Sequence, residues 1–145
     1  MATSTLVQNL SGTGVVSNRR QTETFLAGAA IAAGDIGKIA MIDVTKTGSD
    51  QVLYVRVAAV QATGNSKACG VILNAAAEGG KVEVITAGYA STVQTAGSIS
   101  AGTVLSPAVA VAGKGIAAVA ADVARPFGVV LTTGANPECW VYPQF

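Results

Sequence analysis

The sequence predicts an all-β protein: a compact β-barrel or sandwich built from two related halves, with an extended N-terminal arm and little helix. Three observations predict this fold class. Short apolar and β-branched runs recur along the chain, glycine-containing turns separate them, and several of these segments return in the same order. A length of 145 residues is typical of a single domain.

Strands are predicted after residue 25, where apolar runs lie between turn residues. Lys81–Ile85 alternates most clearly, and the polar cluster Thr47–Asp50 predicts a turn. The alanine-rich segments 26–33 and 117–124 are each compatible with a helical turn, although nearby glycine and β-branched residues oppose a longer helix. The predicted strands are 38–44, 51–57, 70–73, 81–85, 103–105, 116–119, 128–131 and 139–142.

Residues 1–24 differ in composition from the β domain predicted over residues 25–145. They are rich in Ser, Thr, Asn, Gln and Gly, and we interpret them as an arm that becomes ordered on a neighbouring protein. The alternative is a frayed terminus without a role. The candidate contact residues of the arm are Leu6, Val7, Leu10, Val15, Val16, Arg19 and Arg20.

An internal duplication relates residues of about 29–88 to residues of about 97–143. Ile31–Ile36 resembles Ile99–Val104, 68 positions later. Three further pairs follow in the same order at offsets of 57 to 59 positions, which indicates one repeated supersecondary unit. These pairs are 57–60 with 116–119, 70–73 with 128–131, and 81–85 with 138–142.

Glycines mark the turns of this unit. We predict that Gly34 and Gly102 supply the positive φ angle that a tight turn requires. The structural turn glycines predicted in all are Gly34, Gly70, Gly80, Gly102 and Gly128.

The composition indicates a protein that covers much of its surface in an assembly. Charged residues make up 12% of the chain, whereas globular proteins average about 25%. The net charge is +1 without a basic cluster, so we expect neither a nucleic-acid nor a membrane partner. No apolar stretch reaches the ~20 residues of a membrane span, and no secretion signal is recognisable, so we expect folding in a cytoplasm.

The residues that most enzymes use are scarce. The chain has no histidine, which excludes Ser-His-Asp and Cys-His arrangements. Cys69 and Cys139 lack partners at metal-ligand spacing, and we interpret them as small buried side chains. A carboxylate pair and a modified lysine in the turn Gly79–Val82 stay open as alternatives. We predict no catalytic residue, metal or cofactor.

Aromatic residues gather at the C-terminus. Trp140, Tyr142 and Phe145 either anchor the last strand or form a seam between subunits.

Six segments carry a resemblance to a known family, and they span residues of about 29–142. They are Ala33–Ile36, Ala68–Val71, Gly80–Val84, Ala87–Tyr89, Ala101–Val104 and Phe127–Val130. In this order they resemble the small decoration, or cement, proteins of tailed-phage heads. The arm and the high alanine content depart from that pattern.

The resemblance implies a non-enzymatic virion protein on the exterior of a capsid. It implies a homotrimer that cements neighbouring subunits of the major capsid protein, with no cofactor and no catalytic residue. Two alternatives stay open: another virion subunit, of a tail tube or head fibre, or a β-barrel module that binds or carries a ligand.

Overall fold

The computed structural model describes residues 19–58, 68–107, 111–119 and 126–144. Within these residues, nine strands form a single sheet in the order β1-β3-β2-β4-β5-β9-β8-β6-β7. Two short 3-10 helices, Ala33–Asp35 and Gly48–Leu53, are the helical elements of this part of the chain. The strands are β1 Arg20–Ala27, β2 Ile39–Ile42, β3 Tyr54–Val57, β4 Ala68–Ile72, β5 Lys81–Ala90, β6 Val104–Pro107, β7 Gly115–Ala117, β8 Gly128–Val130 and β9 Cys139–Val141.

The first half is a closed five-stranded barrel. β1 lies antiparallel to β5 and also parallel to β3 through Leu26 and Ala27, so the order β1-β3-β2-β4-β5 returns to β1. Closure gives each of the five strands a neighbour on both sides, although β1 contacts β3 only through its last two residues. The predicted all-β barrel with little helix is therefore confirmed. Its interior is apolar and contains Phe25, Ala27, Ile31, Ala40, Val55, Cys69, Ile72, Val82 and Val84.

The second half shares strand β5 with the first. The last residues of β5, Gly88 to Ala90, pair with β9, and β8, β6 and β7 follow. A parallel bridge between Thr95 and Gly115 connects the chain beyond β5 to β7. The second half therefore repeats the strand order of the first, with the stretch from β5 to Thr95 in the place of β1.

The backbone hydrogen bonds show how closely the halves correspond. Gly37 N donates to Ile72 O over 2.9 Å, and Gly102 N donates to Val130 O over 2.7 Å. Ile31 forms a bridge with Ala76, as Ile99 does with Gly134. Similarly, Ala58 N donates to Ile39 O and Ala118 N to Val104 O. These matched bonds fix which residues are equivalent in the two halves.

Alternate residues of β2, β4 and β5 face two different cores. Ala40, Cys69 and Val84 point into the first barrel. Their neighbours on the opposite face join the second core, which they share with second-half residues such as Phe127 and Val130. The first-half members of this second core are Ile39, Met41, Ala58, Val71 and Ile85. The outer face of the first barrel is thus the internal interface between the halves.

The hydrogen bonds also correct the predicted alignment of the repeat. Gly37, with φ 86°, is the equivalent of Gly102, with φ 84°. Gly34 instead lies in the 3-10 helix Ala33–Asp35, and its φ is not positive. The first half has three more residues than the second between Ile31, the equivalent of Ile99, and the glycine before β2. An alignment without this insertion matches Gly34, and not Gly37, to Gly102.

Gly70 and Gly128 lie inside strands β4 and β8 rather than in turns. A Cβ on Gly70 would collide with the carbonyl oxygen of Ile85, and a Cβ on Gly128 with that of Trp140. The two glycines are therefore required by close backbone approach, at equivalent points. Gly80 does close a turn, because its amide donates to Ala77 O over 2.9 Å.

Two further boundaries differ from the prediction. Residues 20–24, assigned to the arm, form most of β1 and pair with β5. Residues 51–53, assigned to a strand, belong to the 3-10 helix that ends at Leu53. The closing strands also align differently: Leu73 N donates to Glu83 O and Leu131 N to Glu138 O, so Glu83 is the equivalent of Glu138.

Candidate interaction surfaces

A row of apolar side chains crosses the outer face of the second half. Tyr89 pairs with Trp140, Trp140 with Val129, and Val129 with Val104, so the four lie side by side on strands β5, β9, β8 and β6. We call these four residues the outer row. Trp140 is 38% exposed, and the other three are half-buried. An exposed tryptophan within an apolar row is a typical anchor for another protein.

Strand alternation positions Trp140. Its neighbours Cys139 and Val141 are fully buried in the second core, which turns Trp140 outward. Tyr142 is half-buried two residues later. Of the predicted seam, Trp140 is thus at the surface and Tyr142 partly so, whereas Phe145 lies outside the described residues.

Tyr89, at one end of the outer row, keeps its phenol proton. Burial raises the pKa of its hydroxyl, and the carboxylate of Glu138, which accepts a hydrogen bond from it, raises that pKa further. The tyrosine therefore presents a neutral ring beside Trp140.

A second apolar surface surrounds the 3-10 helix of the first half. Val52 is 64% exposed, Leu53 50% and Val44 40%. We call these three residues the loop patch. Gln51 Nε2 donates to the Val44 carbonyl oxygen over 3.4 Å, which brings the two ends of the β2–β3 connection close together.

The loop patch is not predicted from the sequence, because Val52 and Leu53 continue an apolar run that is typical of a buried strand. Gly48, with φ 70°, instead begins a 3-10 helix that contains both residues, and both are exposed. The signal that could have found the patch is the turn cluster directly before these two residues.

Asp43 is the most buried charged residue of the described chain. Thr45 N and Thr45 Oγ1 donate to its Oδ1 over 3.0 and 2.7 Å, and Arg56 lies 3.7 Å away. Burial raises the pKa of the carboxyl group, but these hydrogen bonds and the Arg56 charge outweigh it and lower the pKa overall. Oδ1 accepts both hydrogen bonds from Thr45, so Asp43 stabilises the turn directly after β2.

Asp35 has a similar local role at the 3-10 helix before β2. Its Oδ2 accepts a hydrogen bond from Ala32 N over 2.9 Å, and its Oδ1 pairs with Lys38 Nζ over 2.7 Å. The Lys38 hydrogen bond lowers the pKa of Asp35, and partial burial offsets this only in part.

The two cysteines lie in different cores. Cys69 belongs to the interior of the first barrel and Cys139 to the second core. Burial raises the pKa of each thiol to about 12. In the part of the chain that the structure describes, no three Cys, Asp or Glu side chains converge as metal ligands. No helix of that part is long and apolar enough to cross a membrane.

The predicted arm is only partly within the described residues. Arg20 pairs with Gly88 in the barrel, and Arg19 is exposed beside it. Leu6, Val7, Leu10, Val15 and Val16 lie outside the described residues.

Comparison with known proteins adds no relative. No protein-family model matches the chain, and no curated protein is significantly similar to it.

Proposed function

We propose that this protein is a structural virion component that binds the outer surface of a phage capsid and cements neighbouring major capsid subunits. It is made in the host cytoplasm and acts without catalysis or a cofactor. The observation that carries the proposal is the pair of apolar surfaces, the partly exposed outer row and the exposed loop patch, on a β protein of low charge. The resemblance to capsid decoration proteins supplies the kind of partner.

The chemistry of these two surfaces supports the proposal. Monomeric proteins rarely expose large contiguous apolar patches, and such patches are typical of surfaces that contact another protein. Binding to a capsid requires only modest affinity at each site, because contacts to neighbouring subunits add by avidity. The low net charge is compatible with such lateral packing and unfavourable for nucleic-acid binding.

Co-sedimentation with empty phage shells tests the proposal. We expect the full chain to sediment with the shells at saturating, fixed stoichiometry, and a variant without residues 1–18 to bind at least tenfold more weakly. The double variant Arg19→Ala/Arg20→Ala should weaken binding modestly and make it less sensitive to salt, since exposed ion pairs contribute about 0.2–1 kcal/mol each and are screened by salt. A folded chain that never binds shells would refute the proposal, and sixfold rings or open stacks would favour a tail-tube subunit.

A further inference from the structure

The outer row occupies the same place on the second half as the internal interface does on the first. Val104 is equivalent to Ile39 and Val129 to Val71, while Trp140 is equivalent to Ile85. Ile39, Val71 and Ile85 are at most 1% exposed because the second half covers them. The outer row is therefore a second copy of the surface that the second half covers on the first half, and this second copy is partly exposed.

The other side of the internal interface is also repeated. Ile39 N donates to Gly113 O over 2.7 Å, and Gln94 Nε2 donates to the carbonyl oxygens of Gly34 and Ile36 over 2.8 Å. The loop that ends at Gly113 thus lies against the first half. Ala58 of the first half is equivalent to Ala118 of the second, and β3 and β7 precede them at the same spacing. Five residues before each lie Leu53 and Gly113, which are therefore equivalent, and Leu53 belongs to the loop patch. The surface that the second half uses to bind the first is accordingly exposed on the first half.

We infer that a second copy of this chain binds head to tail, with its loop patch against the outer row and the adjoining β7 edge of the first copy. This contact repeats the internal interface between chains. The inference rests on the proposed function for its biological setting, but its argument is independent of any capsid.

Reciprocal size changes favour this contact. A Cβ on Gly113 would lie 2.6 Å from Val57 Cγ1 and 2.9 Å from Lys38 Cδ, so only glycine fits inside the chain. Between chains Leu53 takes the place of Gly113. The residues that it would face are then Ala117 and Thr103, the smaller equivalents of Val57 and Lys38. The larger Leu53 is thus matched by the smaller Ala117 and Thr103, so the volume added on one side of the contact is removed on the other.

A second pair of positions is unchanged between the two interfaces. A Cβ on Gly37 would lie 3.5 Å from Thr92 Cγ2, so Thr92 approaches Gly37 closely inside the chain. The equivalent positions are again a threonine and a glycine, Thr24 and Gly102, and both are exposed. In the proposed contact Thr24 of one copy lies against Gly102 of the next.

The two halves of one chain do not cover both surfaces of each other. If a twofold axis related the halves, the contact of the second half with the first would be matched by an identical contact of the first with the second, and the loop patch would cover the outer row of the same chain. Leu53 and Trp140 are instead 50% and 38% exposed. The contact between copies is therefore heterologous, and it closes into a ring when the rotation per copy divides a full turn.

Disulfide cross-linking tests the contact directly, since the native thiols are buried. In the double variant Leu53→Cys/Ala117→Cys, mild oxidation with copper phenanthroline should give covalent oligomers up to the ring number, in more than half of the chains. Each single variant should stay uncross-linked. The control Leu53→Cys/Thr132→Cys places its second thiol at an exposed site outside the contact and should also stay uncross-linked. Efficient cross-linking of Leu53→Cys alone would indicate a symmetric dimer and overturn the head-to-tail arrangement.

Mass measurement by light scattering completes the test. The native chain should be oligomeric, Leu53→Asp should be monomeric with unchanged circular dichroism, and Leu53→Met should retain the native mass. A native chain that is monomeric at 100 µM and gives no cross-link in the double variant overturns the inference. Shell binding by such a monomer would leave the proposed function intact, whereas rings that do not bind shells would refute the function and not the contact.

Discussion

Cys69 of the first half and Phe127 of the second occupy equivalent positions, each directly before the glycine that closely approaches a neighbouring strand. The size difference is compensated on another strand. Phe25 points into the first barrel. Ala27 pairs with Val55 as Thr95 does with Gly115, so the residue equivalent to Phe25 is Val93, which belongs to the second core. Among the described residues, each core therefore holds one phenylalanine, Phe25 from β1 and Phe127 from the position directly before β8, so the repeat has preserved volume rather than residue identity.

This compensation predicts coupling between positions 25 and 69. Phe25→Val should destabilise the fold by about 2–4 kcal/mol through lost burial. Cys69→Phe should destabilise it by about 1–3 kcal/mol through overpacking. The double variant should recover at least about 1 kcal/mol relative to the sum, measured as a double-mutant cycle by guanidinium unfolding.

A matched control uses the same two kinds of substitution in separate cores. Phe127→Val combined with Cys69→Phe should be additive within about 0.5 kcal/mol, because the two residues belong to different clusters. Additivity in the first pair as well would show that volume is not exchanged between Phe25 and Cys69.

The strand glycines give a second prediction. Gly70→Ala and Gly128→Ala should each destabilise the protein by about 2 kcal/mol or more, because the new Cβ would collide with a backbone carbonyl. Gly34→Ala is the control: nothing lies within 4 Å of its Cβ position, and the change should be within about 1 kcal/mol of neutral. Urea unfolding midpoints at equal protein concentration measure all three. Equal midpoints would contradict the close approach.

The sequence predicted the strands after β1 because their apolar runs end at glycine-containing turns. It missed β1 because Arg20–Thr24 is polar, as expected of a strand whose outer face is exposed and also of an arm. The fold class was predictable since it depends on pattern. The alignment of the halves was less so, because three extra residues between Ile31 and β2 leave no signal in composition.

The candidate surfaces were predictable only in part. Trp140 was identified as a seam residue because a tryptophan near a chain end is conspicuous. Its row could not be assembled without the strand register that places Tyr89, Val129 and Val104 beside it. Leu53 was predicted to lie in a strand, because it belongs to the apolar run that continues into β3, whereas it is the last residue of a 3-10 helix.

Asp43 should make stability depend on acid. Its pKa is lowered on folding, so its contribution is fully present above the unfolded pKa of about 3.9 and is lost as the pH falls through the lower folded value. We expect stability to be nearly flat from pH 7 to about pH 5 and to fall below about pH 4. Asp43→Asn should lower stability at pH 7 and reduce that acid slope, measured by chemical unfolding at several pH values. The exposed Asp50→Asn is the control, and an equal reduction of the slope in both variants would contradict the role of Asp43.

The buried thiols should be inert in the native protein. With a pKa of about 12, only about one thiol in ten thousand is ionised at pH 8, and both are also inaccessible. Ellman's reagent should therefore react with neither Cys69 nor Cys139 within an hour in buffer, and with both within minutes in 6 M guanidinium. Rapid release of one equivalent from the native protein would place a cysteine outside its core.

Two truncations locate the boundary between arm and barrel. Removing residues 1–18 leaves β1 complete, so the melting temperature should change by less than about 2 °C. Removing residues 1–24 deletes the pairing of Arg20 to Thr24 with β5 and opens the barrel at its closure. A loss of about 3 kcal/mol or more lowers the melting temperature by at least about 10 °C in a domain of this size. Circular dichroism melts at equal concentration measure both. If the longer truncation melted with the shorter one, residues 20–24 would be dispensable and the arm would extend to residue 24, as its polar composition first indicated.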